Sequence, residues 1–135
     1  MKVIVDTCVW SLALRRRSEA KNPVVTELEE LVREGRAQLM GAIRQEILSG
    51  IPQRAKFDEV KQRLHTFPDL SLEREDHERA AELFNLCREK GIQGSNTDFL
   101  VCASAERRDM AVLTTDKDFD FFAKHIAIQR HEPRN

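Results

Sequence analysis

The sequence predicts a single α/β domain spanning residues 1–135, built on a mainly parallel sheet of about five strands with helices on both faces. Three observations predict it. Short apolar runs, Val3-Ile4-Val5 and Met110 to Thr114, lack the in-out alternation of a half-exposed strand and read as strands buried on both faces. These runs alternate with stretches that are apolar at helical spacing, the pattern of parallel strands joined by crossover helices. The length suits one domain with a core that needs no disulfide or structural metal, and no repeat, low-complexity tract or linker divides it.

In chain order, the first strand ends at Asp6, and residues 7 to 16 continue as a short helix closed by Arg15, Arg16 and Arg17. Asn22-Pro23 supplies a cap followed by proline at the first helical position, and Val24, Val25, Leu28, Leu31 and Val32 run at helical spacing until Gly35. Ala37 to Met40 is a second strand, and Ile43, Ile47 and Leu48 mark a helix that carries Glu46 beside its apolar stripe. Phe57, Val60 and Leu64 predict another helix, ended by Phe67-Pro68, with Asp69 to Leu72 as a brief edge strand. Glu73 to Lys90 reads as the longest helix, its charges facing solvent and Gly91 its stop. Phe99 to Ala105 is apolar nearly all round and predicts a buried helix, with Asn96 or Thr97 as its cap and the Asp98 carboxylate left free in the first turn. A strand over Met110 to Thr114 and a last one over Ile126 to Ile128 complete the sheet.

Composition narrows the function. The 22 Lys and Arg nearly balance the 23 Asp and Glu, so any case for nucleic acid or membrane binding must rest on local clusters. No apolar run approaches the ~20 residues that span a bilayer, and the N-terminus lacks a signal pattern, so a soluble, cytoplasmic protein is expected. Cys8, Cys87 and Cys102 are widely spaced and form neither a CxxC pair nor a Cys/His cluster. Cys8, in the first turn of a helix, suits a thiolate nucleophile. A phosphatase-type loop would nevertheless want Cys, five residues, then Arg, and Arg15 lies one position too far. The four histidines are scattered without metal-like spacing and read as surface or boundary residues.

The informative feature is where acids stand. Asp6 and Asp116 both follow β-branched runs, and Asp98 opens a buried helix. Ligands of open α/β sheets bind at the carboxyl ends of the strands, where strand order reverses. If these acids converge there, pairs at ~5 Å repel by roughly 3 kcal/mol at an effective dielectric of 20. No Lys or Arg is an evident buried partner, and a hard divalent cation, Mg²⁺ or Mn²⁺, fits an oxygen-only set. Structural alternatives stand beside this reading: Asp6 as a helix cap, and Glu46 as an ordinary surface residue.

Taken together, Val5-Asp6-Thr7, Glu46 with Ile47-Leu48-Ser49-Gly50, Asp98 opening an apolar helix that includes Ala103 and Ala105, and Leu113-Thr114-Thr115-Asp116 followed by Asp118-Phe119 resemble the PIN-domain nucleases. Within these, the likeness is to the VapC toxins of toxin–antitoxin pairs, and it covers essentially the whole chain. The resemblance implies a PIN-like domain with an acidic catalytic site at Asp6, Glu46, Asp98 and Asp116. Metal would be held by Asp6, Asp98 and Asp116, and Thr114 or Thr115 would match the strand-end hydroxyl. It also implies a Mg²⁺- or Mn²⁺-dependent endoribonuclease that acts on RNA, forms a homodimer and is inhibited by a small cognate VapB-like antitoxin. Asp118 is read either as a helix cap or as sharing the metal with Asp116. Arg15, Arg16 and Arg17 are the expected phosphate anchor, with Arg44, Arg107, Arg108 and Lys117 as further basic residues for specificity.

Two rivals come from other classes. A phosphoacceptor domain would take a phosphoryl group on Asp6 or Asp116. Haloacid-dehalogenase-like enzymes want a second Asp where Cys8 stands, however, and receiver domains want adjacent acids after the first strand. A non-catalytic module could grip a basic peptide in the same acidic crevice, although binding alone does not demand four acids in this order.

Overall fold

The computed structural model describes residues 1–15 and 22–134. At its centre lies β1 (Val3–Val5), whose three residues are all fully buried. Consecutive strand residues point to opposite faces, so burial of all three means that both faces of the sheet are covered. In chain order come α1 (Thr7–Arg15), α2 (Pro23–Arg33), β2 (Ala37–Gln38), α3 (Gly41–Ser49), α4 (Arg54–Leu64) and α5 (Arg74–Glu89). They are followed by α6 (Asn96–Arg108), β3 (Ala111–Leu113), α7 (Asp118–Phe122) and β4 (Gln129–Arg130). No helix among the described residues is long and apolar enough to cross a membrane.

All strand pairs are parallel, and the order is β2-β1-β3-β4. From β1 the chain first adds a strand on one side and later, with β3, on the other. The reversal of strand order therefore falls between β1 and β3. The Asp6 N–H donates to the Leu113 carbonyl at 3.0 Å, which carries the β1–β3 pairing one residue past the strand and brings the Asp6 and Thr114 ends together.

The described sheet has four strands rather than about five. The segment expected as an edge strand at 69–72 contributes one parallel bridge, Leu39 to Asp69, and one bond from Leu70 N–H to the Leu39 carbonyl at 2.8 Å. Arg44 accounts for its brevity: it donates to Asp69 Oδ1 at 3.0 Å and to the carbonyls of Leu64 and Phe67. The side chain thus fastens the turn after α4 as a loop. The last strand is Gln129–Arg130 instead of 126–128, because Ile126 is still bonded to the Phe122 carbonyl at the end of α7 and its side chain packs in the core.

Two buried acids tie α5 and α2 to their neighbours, although the sequence predicts that the charges of α5 face solvent. Asp76 of α5 is fully buried, and α5 packs on α6 through it: Arg107 and Arg108 both donate to Oδ1 at 2.6 Å, and Arg108 donates to Oδ2 at 2.7 Å. Glu27 of α2 is also buried; it is bonded to the His131 ring at 2.6 Å and receives Arg134, which ties the segment after β4 back to α2. Cys87 and Cys102 are buried, as their apolar settings predict.

Gly94 is a point of close approach. A Cβ there would stand 2.6 Å from Phe122 Cζ and 3.0 Å from Phe99 Cε2, two rings packed at 4.9 Å between centroids. Overpacking of this kind costs about 1–3 kcal/mol. Gly94→Ala is therefore expected to lower the melting temperature measurably in a thermal scan, and an unchanged value would show that the rings move aside freely.

Candidate active site

Asp6 ends β1 and is 5% exposed. Its carboxylate is held by neutral donors alone: Thr7 N–H to Oδ1 at 2.9 Å, Thr114 Oγ1 to Oδ2 at 2.8 Å and the Cys8 thiol to Oδ2 at 3.6 Å. Burial pushes its pKa above the ordinary carboxylate value, the three donors pull the other way, and the nearby Asp116 charge adds to the rise. Thr114, at the end of β3, completes the link by accepting the Asp116 N–H at 3.0 Å. The strand-end hydroxyl in this structure is thus Thr114. Thr115 is exposed, and its N–H reaches the Cys8 sulfur at 3.4 Å.

Asp98 lies in the first turn of α6, where its pKa is also raised. Burial is the main cause, and the charges of Asp6 and Asp116 both contribute. Asp6 and Asp116 themselves follow β1 and β3, the two strands between which the strand order reverses. The helix cap differs from expectation. Ser95 is the cap, its Oγ accepting the Asp98 N–H at 3.1 Å while Asp98 Oδ2 accepts the Ser95 N–H at 3.0 Å. One carboxylate oxygen of Asp98 is therefore engaged in a capping box, and only Oδ1 is left for another task. A cap at Asn96 or Thr97 would have freed both oxygens.

Glu46 projects from α3, which follows β2 at the same edge of the sheet. It is exposed, and its Oε1 accepts the Thr7 hydroxyl at 2.5 Å. Asp116 accepts the Asp118 N–H on Oδ1 at 2.9 Å, and Asp118 opens α7. Among the described residues, no Lys or Arg is ion-paired with Asp6, Glu46, Asp98 or Asp116. Equally, no three His, Cys, Asp or Glu side chains among them are drawn into a ready-made metal cluster. Glu46, Asp98 and Asp116 each have one oxygen engaged, by Thr7 Oγ1, Ser95 N–H and Asp118 N–H respectively.

Two open grooves meet here. One, of ≈ 610 Å³, is lined by Thr7, Gln45, Glu46 and Gly50, and shares Ala42 and Thr97 with a second of ≈ 490 Å³ that runs past His77 and Phe84. Arg15 is exposed at the end of α1, and its Nη2 lies 3.2 Å from where a Cβ on Gly50 would stand, at the rim of the first groove. Arg16 and Arg17 lie outside the described residues. Of the other basic residues expected to contact substrate, Arg44, Arg107 and Arg108 are committed to Asp69 and Asp76. Lys117 is exposed beside Asp116. Thr7 and Cys8, singled out in the sequence as a motif member and a candidate nucleophile, here bond the acids instead, a role that spacing alone did not reveal.

The sequence pattern of the PIN domain matches residues 3–124. The chain belongs to the PIN-domain family. No curated protein matches it significantly. Among solved structures, this PIN domain is similar to FitAcB from Neisseria gonorrhoeae, at 21% identity over 97% of each chain and a TM-score of 0.75. It is also similar to VapBC2 from Rickettsia felis, bound to a DNA fragment from their promoter, at 14% identity over 97% of this chain and 98% of that one, TM-score 0.72. VapBC-5 from Mycobacterium tuberculosis, a member of the VapBC family of toxin-antitoxin systems, matches at 18% identity over 97% of this chain and all of its own, TM-score 0.67. At these identities the likeness establishes the fold.

Proposed function

We propose that this PIN domain is a divalent-metal-dependent endoribonuclease, the toxin of a VapC-type toxin–antitoxin pair. The observation that carries the proposal is the end of β1 at the strand-order reversal: Asp6 is buried there among neutral donors and joined through Thr114 to Asp116, the charges of both raise the Asp98 pKa, and among the described residues no Lys or Arg is ion-paired with any of the three. An oxygen-only donor set of this charge suits Mg²⁺ or Mn²⁺. A cation bound there would polarise a phosphodiester and lower the pKa of a bound water.

The residues divide the remaining work. Asp6, Asp98 and Asp116 would hold the cation, with Thr114 and Thr7 orienting Asp6 through the bonds already described. Glu46, exposed at the groove wall, would accept the proton of the water that attacks the phosphodiester. Asp118 would orient Asp116 through its N–H, and its carboxylate lies in the first turn of α7, whose N-cap is Lys117 rather than Asp118. Arg15, with Arg16 and Arg17, would bind backbone phosphates at the groove rim. The architectural likeness to structures described as VapBC and FitAcB supports a VapB-like antitoxin as partner; the homodimer is proposed on the family resemblance of the sequence alone.

The purified protein is expected to cleave structured RNA in Mg²⁺ or Mn²⁺ and to fall silent in EDTA, with activity restored by excess metal. Gel analysis of end-labelled RNA reads this directly. Cleavage that persists in EDTA, or at wild-type rate in Asp6→Asn, would overturn the proposal.

A further inference from the structure

We propose that Thr7 is a positioning residue that holds the Glu46 carboxylate over the site. Thr7 is the first residue of α1, so its N–H has no partner within the helix and is free to serve another group. It donates to Asp6 Oδ1 at 2.9 Å, while its hydroxyl donates to Glu46 Oε1 at 2.5 Å. One residue thereby joins two acids, one directly after β1 and one on α3, that stand 40 positions apart in sequence.

Glu46 needs such a hold. It is exposed, and Ile43 and Ile47 supply the packing of α3 on either side of it. A free glutamate there would sample several rotamers, whereas a hydrogen bond to a charged acceptor is stronger than one between neutral groups. Threonine is suited to the task because its branched Cβ restricts χ1, and because the same residue is already fixed through its amide to Asp6. Thr7 lines the same groove wall as Glu46, so the bond lies where a substrate would enter.

The kinetic consequence rests on the nuclease reading, but the contact does not, and the two are tested separately. Thr7→Val removes the hydroxyl at nearly constant shape and should lower kcat about tenfold, the worth of one charge-assisted hydrogen bond, with little change in KM. Thr7→Ser should recover most of the loss. Thr7→Val combined with Glu46→Ala should cut labelled RNA in Mn²⁺ no more slowly than Glu46→Ala alone, because no carboxylate then remains to be held. If the two losses multiply instead, Thr7 does not act through Glu46 and the proposal is overturned. Independently of any cleavage, three-bond NMR couplings to the Glu46 Cγ carbon in the metal-free protein should report a single χ1 rotamer that becomes averaged in Thr7→Val. An averaged rotamer in the wild-type protein, or an unchanged one in the variant, would overturn the contact itself. Absence of RNA cleavage by the wild type would overturn only the nuclease reading.

Discussion

Asp98→Asn is expected to abolish RNA cleavage while leaving the metal-free protein at least as stable as wild type. The two effects separate because of the capping box. An asparagine carbonyl can still accept the Ser95 N–H, and the bond from Asp98 N–H to Ser95 Oγ does not involve the Asp98 side chain, so the start of α6 is kept. What is lost is one negative charge in a crevice where Asp6 and Asp116 already repel it. Removing the charge forfeits a favourable helix-terminus interaction of about 0.3–1 kcal/mol. Burial and the two neighbouring charges hold the Asp98 pKa up, so the net change is expected to be stabilising, on the order of 1 kcal/mol or less. Cleavage should fall by about a thousandfold or more, since losing a metal ligand forfeits several kcal/mol of transition-state stabilisation and each 1.36 kcal/mol is a factor of ten.

Melting curves in EDTA and in Mn²⁺ test this with no substrate present. A ligand that binds only the folded state raises the melting temperature according to its affinity, so the Mn²⁺-induced rise should be large in wild type and small in the variant. The pH dependence follows from the direction of the shifts. Asp6 and Asp98 have folded pKa values above the ordinary aspartate value of 3.8. The penalty for ionising them in the metal-free fold is absent at low pH and grows as pH rises through the unfolded and then the folded pKa. The stabilisation by Mn²⁺ should grow over the same range and vanish in acid, where both carboxyls are protonated. A variant that melts well below wild type in EDTA, or gains as much from Mn²⁺, would make Asp98 a structural cap and remove it from the site.

The largest effect on stability is expected from Asp76→Ala, at about 3–5 kcal/mol. Asp76 is as buried as Asp6, but its surroundings are opposite: two guanidinium groups share its oxygens, and Oδ2 also accepts the Glu73 N–H at 2.7 Å at the start of α5. Deleting the carboxylate strands Arg107 and Arg108 against each other and uncaps the helix. Both arginines retain some solvent contact, which places the cost toward the lower end of that range. Arg79→Ala, which removes the bond to Glu106 at a half-exposed position, should cost no more than about 1 kcal/mol.

Arg108 beside Asp76 holds its carboxyl well below the usual carboxylate range. A depressed folded pKa means that the contribution is fully present above the unfolded value near 3.8 and is lost as pH falls toward the folded one. Urea denaturation across pH should therefore show wild type and Asp76→Ala far apart at neutrality and closer together below about pH 3.8. A gap under 1 kcal/mol at pH 7 would show that Arg107 and Arg108 re-solvate without cost.

The residues that define the crevice were legible in the chain because their signal is local. An acid after a short β-branched run, and an acid in the first turn of an apolar helix, can be recognised from a few neighbouring residues. The expectation that strands of this kind lie parallel and buried holds for β1 and β3, after which Asp6 and Asp116 stand. The helix boundaries of α2 and α5 followed for the same reason, with Gly35 and Gly91 adopting the positive φ that ends each of them.

The tertiary structure alone decided which charges were already spoken for. Arg44, Arg107 and Arg108 look in sequence like free cations, yet their partners lie 25 to 32 residues away and are chosen by how α3, α5 and α6 pack. The same holds for the Thr7 hydroxyl and the Cys8 thiol, which meet Glu46 and the Thr114–Thr115 turn across 39 and about 107 positions. It holds too for the edge segment at 69–72, whose strand character gives way to the Arg44 side chain. Periodicity records what a residue does for its own helix or strand, over three or four neighbours. Hydrogen bonding and ion pairing at a strand end depend on which elements arrive beside it, and no local pattern encodes that.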